Sequence, residues 1–282
     1  MAPPSFGDLG KTARDIFSKG YHFGLIMLDI KTKTQESIDI SAGCSLSHDT
    51  GKAFGSLETK YTAKDYGLVF TEKWNTDNSL CTDISLENLF PEGLKLSFDA
   101  TFSPPLGKKK ARAKAQYKLD KMILNLDADL NPNGPLLNGS TVLSHKGFSI
   151  GWLSGFDCAC SKFTNNNIAI CLTNEDFEIC SKVNHNLEYS ASLYQKVSPK
   201  LETGVQLAWS ADSNDTKFEI GSKYTFDENT IVRAKVDNSS HVGFSLQQIV
   251  HTGVSVTMSL QIDGKNFNQG THKFGVALEM KA

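Results

Sequence analysis

From Leu25 onward the chain alternates hydrophobic and polar residues. In Leu94–Phe102 every second residue is apolar, and Lys, Ser, Asp and Thr stand between them. Val254–Ile262 repeats the pattern, and Met122–Leu130 repeats it except that Ile123 interrupts the polar set. Because side chains alternate between the two faces of a strand, each run predicts a β-strand with one apolar and one polar face.

The number of predicted strands indicates the architecture. Turn residues such as Asp49-Thr-Gly51 and Asp263-Gly264 separate the runs at short intervals. A membrane-spanning strand and its turn take roughly 13–14 residues, which predicts about 18–20 strands after Leu25. Two stacked sheets of that size would leave many edges, whereas a closed barrel has none and is too wide for side chains to fill. We therefore predict an all-β transmembrane barrel whose polar face lines a water-filled lumen and whose apolar face meets lipid.

The first twenty residues have a helical period instead. Asp8 is the predicted N-cap, and four apolar residues follow on one helical face: Leu9, Ala13, Ile16 and Phe17. Gly20 and Gly24 then end the helix in a flexible joint. The predicted organisation is an N-terminal helix with its joint, residues 1–24, and a barrel, residues 25–282. We expect the helix to lie in the lumen or at its mouth.

Charge adds one candidate function to this helix. Lys11 and Arg14 lie on its polar face, and Lys19 lies just beyond it. Inside a lumen these three side chains would concentrate positive charge at a constriction and attract anions. They are predicted pore and gating residues together with the joint glycines, Gly20 and Gly24. The net charge of the whole chain is −2, so no basic signature indicates nucleic acid as a partner.

Glu72 is the most conspicuous single candidate for a functional residue. In Tyr66–Trp74 it falls in the same register as Tyr66, Leu68, Phe70 and Trp74, so it is predicted to face lipid. A carboxylate is costly there and is by default a functional candidate. Two structural alternatives stay open: a local bulge that returns Glu72 to the lumen, or a position near the lipid headgroups.

Catalytic and metal-binding motifs are lacking in the sequence. It has no P-loop, G-x-S-x-G, H-E-x-x-H or G-x-G-x-x-G, and its seven histidines show no ligand spacing. We therefore predict that the protein is not an enzyme, holds no metal and requires no cofactor. The six cysteines are scattered, and we predict unpaired thiols rather than a disulfide framework or a metal site.

Several stretches resemble one family, the mitochondrial voltage-dependent anion channel or eukaryotic porin, over the whole chain. The stretches that carry the resemblance are Asp8–Phe17, Lys19–Gly24, Gly55–Tyr61, Thr71–Asn78, Tyr194–Val197, Ala234–Asn238 and Asp263–Asn266. The resemblance implies a 19-strand barrel in the outer mitochondrial membrane with the N-terminal helix in its lumen. It also implies voltage-gated, weakly anion-selective diffusion of ATP, ADP, inorganic ions and small metabolites.

The resemblance also implies binding sites. By matching position, Lys11 and Lys19 would contact nucleotides, so ATP or NAD would be ligands rather than required cofactors. A dinucleotide site would comprise His241, Val242, Gly243, Ser259, Leu260, Gln261, Ile262 and Asp263. Glu72 matches a membrane-facing glutamate that is linked to gating, lipid contact and hexokinase binding. Further expected partners are membrane lipid, apoptosis regulators and a second copy of the chain as a homo-oligomer.

The sequence departs from the family pattern at several positions. His22 replaces a glycine of the joint, which should stiffen it, and His241 and Phe244 alter the dinucleotide segment. An outer-membrane scaffold that conducts poorly and docks kinases or apoptotic partners is therefore the alternative function. A protein-import pore on the same fold would predict a longer N-terminal extension than the two dozen or so residues present here.

Overall fold

The computed structural model describes residues 3–34, 37–63, 66–89, 93–104, 107–131, 134–267 and 270–281. In these residues the chain forms a 3₁₀ turn, Phe6–Asp8, one α-helix, α1 (Lys11–Ser18), and nineteen β-strands. The strands are β1 (Leu25–Lys33), β2 (Ile38–Ser47), β3 (Ala53–Ala63), β4 (Leu68–Asn75), β5 (Leu80–Leu89), β6 (Leu94–Ser103), β7 (Lys108–Lys118), β8 (Met122–Leu130), β9 (Leu136–His145), β10 (Phe148–Asp157), β11 (Lys162–Thr173), β12 (Phe177–Val183), β13 (Glu188–Lys196), β14 (Leu201–Ser210), β15 (Thr216–Asp227), β16 (Thr230–Asp237), β17 (His241–His251), β18 (Val254–Asp263) and β19 (Lys273–Lys281).

The strands form one sheet that closes on itself. Neighbours in sequence pair with each other, and β1 pairs with both β2 and β19. The β1–β19 pair is parallel and in register from Ile26 opposite Val276 to Lys31 opposite Lys281. A chain that runs alternately up and down through an odd number of strands must close with a parallel pair. The prediction of a closed 19-strand β-barrel is confirmed.

The alternating runs of the sequence become strands whose apolar side chains share one face. The run Met122–Leu130 is β8, and the run Val254–Ile262 is β18, extended by Asp263. Leu126 and Phe244 are 54% and 45% exposed on the apolar face, whereas Ser245 on the opposite face is 2% exposed. An outer apolar band suits lipid, and an inner polar face suits water.

The chain divides into two compact units. The first contains Thr32–Ala42 and Phe54–Ile170 together with the segment up to Leu9. On its inner face, Ile123 pairs with Val142 and Val142 pairs with Gly151. Leu9 packs directly over Gly151, and Leu9, Ile123 and Val142 are all at most 2% exposed. Ile123, which interrupts the polar pattern of β8, therefore belongs to a buried apolar patch of the inner face, and Leu9 packs on the same patch at Gly151.

The second unit contains Gly10–Lys31, Gly43–Ala53 and Cys171–Ala282, and it includes α1. Its helix begins at Lys11 after Gly10, so the prediction of Asp8 as the N-cap is wrong. Asp8 instead ends the 3₁₀ turn, and its carboxylate accepts a hydrogen bond of 2.6 Å from the Ser5 hydroxyl. Among the described residues no helix is long and apolar enough to cross a membrane.

A charge on the outer face should destabilise the barrel more than a charge on the inner face. Leu126 and Asn125 are neighbours near the middle of β8, on the outer and inner face respectively. We expect Leu126→Arg to lower the free energy of unfolding in lipid vesicles by about 2–4 kcal/mol, because arginine meets hydrocarbon at the midplane. Asn125→Arg is the matched control and should cost less than about 1 kcal/mol. Urea titrations in vesicles measure both, and equal losses would contradict the assignment of the faces.

Candidate functional site

The candidate site is the inner face of the second unit, where α1 docks on β13, β14 and β15. The buried face of the helix consists of Ala13, Ile16 and Phe17, as the sequence predicts. Beneath it Gly204 and Gly221 lie opposite each other on β14 and β15. A Cβ atom at Gly221 would lie 3.0 Å from both Ile16 and Phe17. The two glycines therefore allow the close approach of the helix to the sheet.

Glu178 holds the N-terminal end of the helix. This residue of β12 is 7% exposed, and its carboxylate accepts a 2.9 Å hydrogen bond from the Gly10 backbone N–H. Its second oxygen accepts a hydrogen bond from the Thr12 hydroxyl. A carboxylate is favourable there because the first backbone N–H groups of a helix lack intrahelical partners and carry partial positive charge. Sequence analysis missed Glu178, since its partners are more than 160 positions away.

Lys235 holds the opposite end. Its ammonium group donates a 2.8 Å hydrogen bond to the backbone carbonyl of Phe17. The same Nζ atom lies 4.7 Å from the ring centroid of Tyr21 and 5.6 Å from that of Phe23. A cation is stabilising at a helix C-terminus, where carbonyl groups lack partners, and aromatic faces attract it further. A carboxylate at one end and an ammonium at the other thus fit the helix dipole.

The joint is hydrogen-bonded to the sheet in this docked state. The Ser245 hydroxyl donates a 2.6 Å hydrogen bond to the Gly20 carbonyl, and the Gly24 N–H donates to the Phe274 carbonyl at 3.1 Å. Gly20 has a φ of 80° and lies against Arg233, whose Nη1 would be 2.6 Å from an added Cβ. Both backbone conformation and space therefore require glycine at this position.

Burial disfavours the charged forms of two side chains of the joint. It raises the pKa of Tyr21 to about 12 and lowers the pKa of His22. His22 also donates its backbone N–H to the Ser259 hydroxyl at 3.1 Å. Because burial lowers the pKa of His22 in the folded protein, the stability of the fold is highest above the unfolded pKa and decreases as the pH falls through the folded pKa, where the buried imidazole must take up a proton.

The basic residues of the helix lie on its exposed face. Lys11, Arg14 and Lys19 are all exposed, and Lys19 forms an ion pair of 2.5 Å with Asp15. The structure therefore brings the predicted pore residues together on the inner side of the barrel. Contact of Lys11 and Lys19 with nucleotides stays a prediction.

The inner wall of the first unit carries balanced charge. A cavity on this wall is lined by five acidic and five basic side chains: Glu58, Asp83, Glu87, Asp99, Asp127, Lys60, Lys73, Lys95, Arg112 and Lys114. Neighbouring strands pair several of them, as Lys95 does with Glu87 at 2.5 Å and Lys114 does with Asp99. The lining of this cavity therefore has equal numbers of acidic and basic side chains, whereas the exposed face of the helix is mainly basic.

The predicted dinucleotide segment lies on paired strands but on two faces. His241 lies opposite Asp263, and Gly243 lies opposite Gln261. The alternation of β17 and β18 places His241, Gly243, Ser259, Gln261 and Asp263 inward, and Val242, Leu260 and Ile262 outward. Phe23 packs over Gly243, and His241 is hydrogen-bonded to Asp237 at 3.0 Å. The docked joint thus covers part of this segment, and its ligand role stays a prediction.

Glu72 faces outward. It is paired in regular register with Thr59 and Thr82, so no bulge returns it to the lumen. It is exposed on the same face as Trp74, whereas Lys73 beside it lines the inner cavity. Among the described residues Glu72 forms no hydrogen bond or ion pair. The structure gives its orientation, and its role in gating stays a prediction.

The prediction of unpaired cysteines is wrong for two of the six. Cys171 and Cys180 form a disulfide between β11 and β12, with their Cα atoms 4.1 Å apart. The pairing follows from the tight turn between these strands, which places the two residues side by side on one face. Cys44, Cys81, Cys158 and Cys160 are free thiols.

A closed barrel with an apolar exterior, a polar interior and a docked internal helix defines a membrane channel of the porin class. The chain belongs to the eukaryotic porin family, whose model matches residues 2–275. It is 49% identical over 282 residues to a Drosophila melanogaster protein named "Voltage-dependent anion-selective channel", with both chains covered completely.

Further relatives and a solved structure were compared with the chain. The chain is 48% identical over 280 residues to a Xenopus laevis protein and 47% identical to a Homo sapiens protein, both named "Non-selective voltage-gated ion channel VDAC2". These matches cover 99% of the chain, and 99% and 95% of the two relatives. A mutant of the Rh. blastica porin matches 86% of the chain and 98% of its own with a TM-score of 0.54. At 10% identity it shows the fold alone.

Filling the space under the helix should undock it without unfolding the barrel. We expect Gly221→Val to press against Ile16 and Phe17, which costs about 1–3 kcal/mol of packing. The released helix should then be cleaved by trypsin after Lys11 and Arg14 at a higher rate. Gly139→Val is the matched control, because a Cβ at Gly139 meets nothing within 4 Å. Equal cleavage rates in the two variants would contradict the proposed packing role of Gly221.

Proposed function

We propose that this chain is a voltage-gated, weakly anion-selective diffusion pore of the mitochondrial outer membrane that passes ATP, ADP, inorganic ions and small metabolites. The observation that carries the proposal is a helix bearing exposed Lys11, Arg14 and Lys19 docked on the inner polar face of a porin barrel. The names of the relatives, which describe both anion-selective and non-selective voltage-gated channels, support the same class.

The charge distribution supports weak rather than strong anion preference. The cavity wall of the first unit has equal numbers of acidic and basic side chains. The segment from Lys11 to Lys19 carries three basic side chains against Asp15 alone, so it adds a modest positive field. That field would attract nucleotide phosphates while small cations still pass.

The docking contacts support gating by movement of α1. An isolated helix of eight residues is only marginally stable in water. Its position and its helical structure therefore depend on tertiary contacts. Moving one elementary charge across a membrane potential of about 100 mV is worth about 2.3 kcal/mol. A hydrogen bond to a charged group contributes about 1.5–3 kcal/mol. Glu178 and Lys235 each make bonds of this kind with the helix. A voltage of this size can therefore compete with the contacts that hold the helix.

Localisation and partners follow from the same proposal. A multi-pass barrel of this family contacts lipid, and we infer that its membrane is the outer membrane of the mitochondrion. Hexokinase, apoptosis regulators and a second copy of the chain are proposed partners, and Glu72 is the residue that we connect with hexokinase. ATP or NAD would act as ligands that pass through or bind at the helix, and no cofactor is required.

Bilayer recording of the refolded protein under a KCl gradient tests the channel function. We expect a large conductance with a reversal potential on the anion side, which falls to substates at both voltage polarities. A silent or cation-preferring protein would overturn the proposal and favour the scaffold function.

Charge variants connect that selectivity to the helix. Lys11→Glu together with Arg14→Glu should move the reversal potential toward the cation side, because the positive field at the constriction is reversed. The control is Lys121→Glu together with Lys146→Glu. Both residues lie in turns, and the change in charge equals that of the helix variant. Equal shifts in both double variants would show that selectivity does not depend on the helix.

Glu72→Gln tests the outer-face carboxylate. We expect the barrel to fold normally, because the strand register does not depend on the charge, while voltage gating or its dependence on lipid composition changes. Glu228→Gln, in the turn between β15 and β16, is the matched control. Gating and lipid dependence that equal those of the unmodified protein would refute a functional role for Glu72.

A further inference from the structure

We propose that Cys171, Cys180 and Glu178 form, once their disulfide is reduced, a buried site for a thiophilic divalent cation such as Zn²⁺, and that the ion competes with docking of α1. The site does not depend on ion conduction, so it can be tested separately from the channel function.

The three side chains already converge. Their ligand atoms, two sulfurs and one carboxylate oxygen, all lie within 4.8 Å of one another. Glu178 and Cys180 are two positions apart on the same face of β12, and the disulfide shows that Cys171 of β11 points to the same place. Two thiolates and a carboxylate are typical zinc ligands, and three protein ligands leave a fourth position for water.

The helix covers this site. Cys171 and Cys180 are each 1% exposed, and Glu178 is 7% exposed. A Cβ atom at Gly10 would lie 3.4 Å from the Cys180 sulfur, so the start of α1 rests directly on the disulfide. A reductant or a metal ion therefore reaches the sulfurs when the N-terminal end of the helix moves away.

The ion and the helix need the same carboxylate. Both oxygens of Glu178 accept hydrogen bonds from the helix, one from the Gly10 N–H and one from the Thr12 hydroxyl. A bound cation would take at least one of these oxygens. Occupation of the site therefore favours the undocked helix.

The chemistry needs a reductant, which we take to be a dithiol. It gives two electrons and two protons to the disulfide: the S–S bond of Cys171 and Cys180 breaks, two thiols form, and the dithiol becomes a disulfide. Zn²⁺ then binds the two sulfurs as thiolates and releases two protons to solvent. In the oxidised state the sulfurs offer no thiolate, so the site is closed.

Metal stoichiometry tests the site. The full chain should carry Cys44→Ser, Cys81→Ser, Cys158→Ser and Cys160→Ser, so that only the pair remains. After reduction with a phosphine and its removal, we expect about one Zn²⁺ per chain by elemental analysis. The same protein before reduction should bind none. Absence of binding after reduction would overturn the proposal.

Substitutions identify the ligands. Cys171→Ser and Cys180→Ser should each abolish stoichiometric binding, and Glu178→Gln should weaken it by at least about tenfold. Glu175→Gln, in the turn beside β12, is the control and should change nothing. Where a cysteine variant fails to fold, alkylation of the reduced, folded parent protein replaces it and should block Zn²⁺. Binding that survives these changes would refute the site.

Trypsin cleavage tests the competition. Zn²⁺ added to the reduced protein should raise the rate of cleavage after Lys11 and Arg14, because the helix is released. Zn²⁺ added to the oxidised protein should leave the rate unchanged. Stoichiometric binding without faster cleavage would refute the competition with α1.

Discussion

The parallel pairing of β1 with β19 is the contact on which the rest of the structure depends. In hydrocarbon every backbone N–H and C=O group must find a partner within the protein, because no water is available. An open sheet of this length would leave two edges unpaired, whereas the pairing from Ile26 to Lys31 with Val276 to Lys281 joins them. Closure also creates the lumen. The inner face of each strand then meets water, and the outer face meets lipid.

The inner face of the second unit packs against an apolar helix face and is otherwise polar. The apolar contact is confined to a small area. Gly204 and Gly221 have no side chains, which leaves space for Ile16 and Phe17 to pack against the sheet. Elsewhere on the inner face of the second unit, polar residues contact the helix and its joint at a few points, among them Glu178, Lys235 and Ser245. The helix is therefore attached by a small apolar contact and by its two ends.

The sequence was sufficient to predict the fold and insufficient to predict the docking site. Strand period is local, so Met122–Leu130 and Val254–Ile262 could be recognised from neighbouring residues alone. The partners of Glu178, Lys235 and the Cys171–Cys180 pair are set by closure and by strand register, which local periodicity does not contain. Two signals were visible in the sequence: the apolar helix face of Ala13, Ile16 and Phe17, and Ile123, which interrupts the polar pattern of β8 and is buried opposite Val142.

The docking contacts would also allow one short helix to move, as the proposed gating requires. Its stability as a helix comes from tertiary contacts rather than from length, so leaving the wall removes the contacts that keep it helical. The two ends differ in character: the N-terminal end depends on a buried carboxylate beside a disulfide, and the C-terminal end on an ammonium group between aromatic rings. Chemistry that acts on the sulfurs would reach the first end alone. In the proposed gating, voltage would act on Lys11, Arg14 and Lys19 together, so the two proposals give the same helix two independent ways to leave the wall.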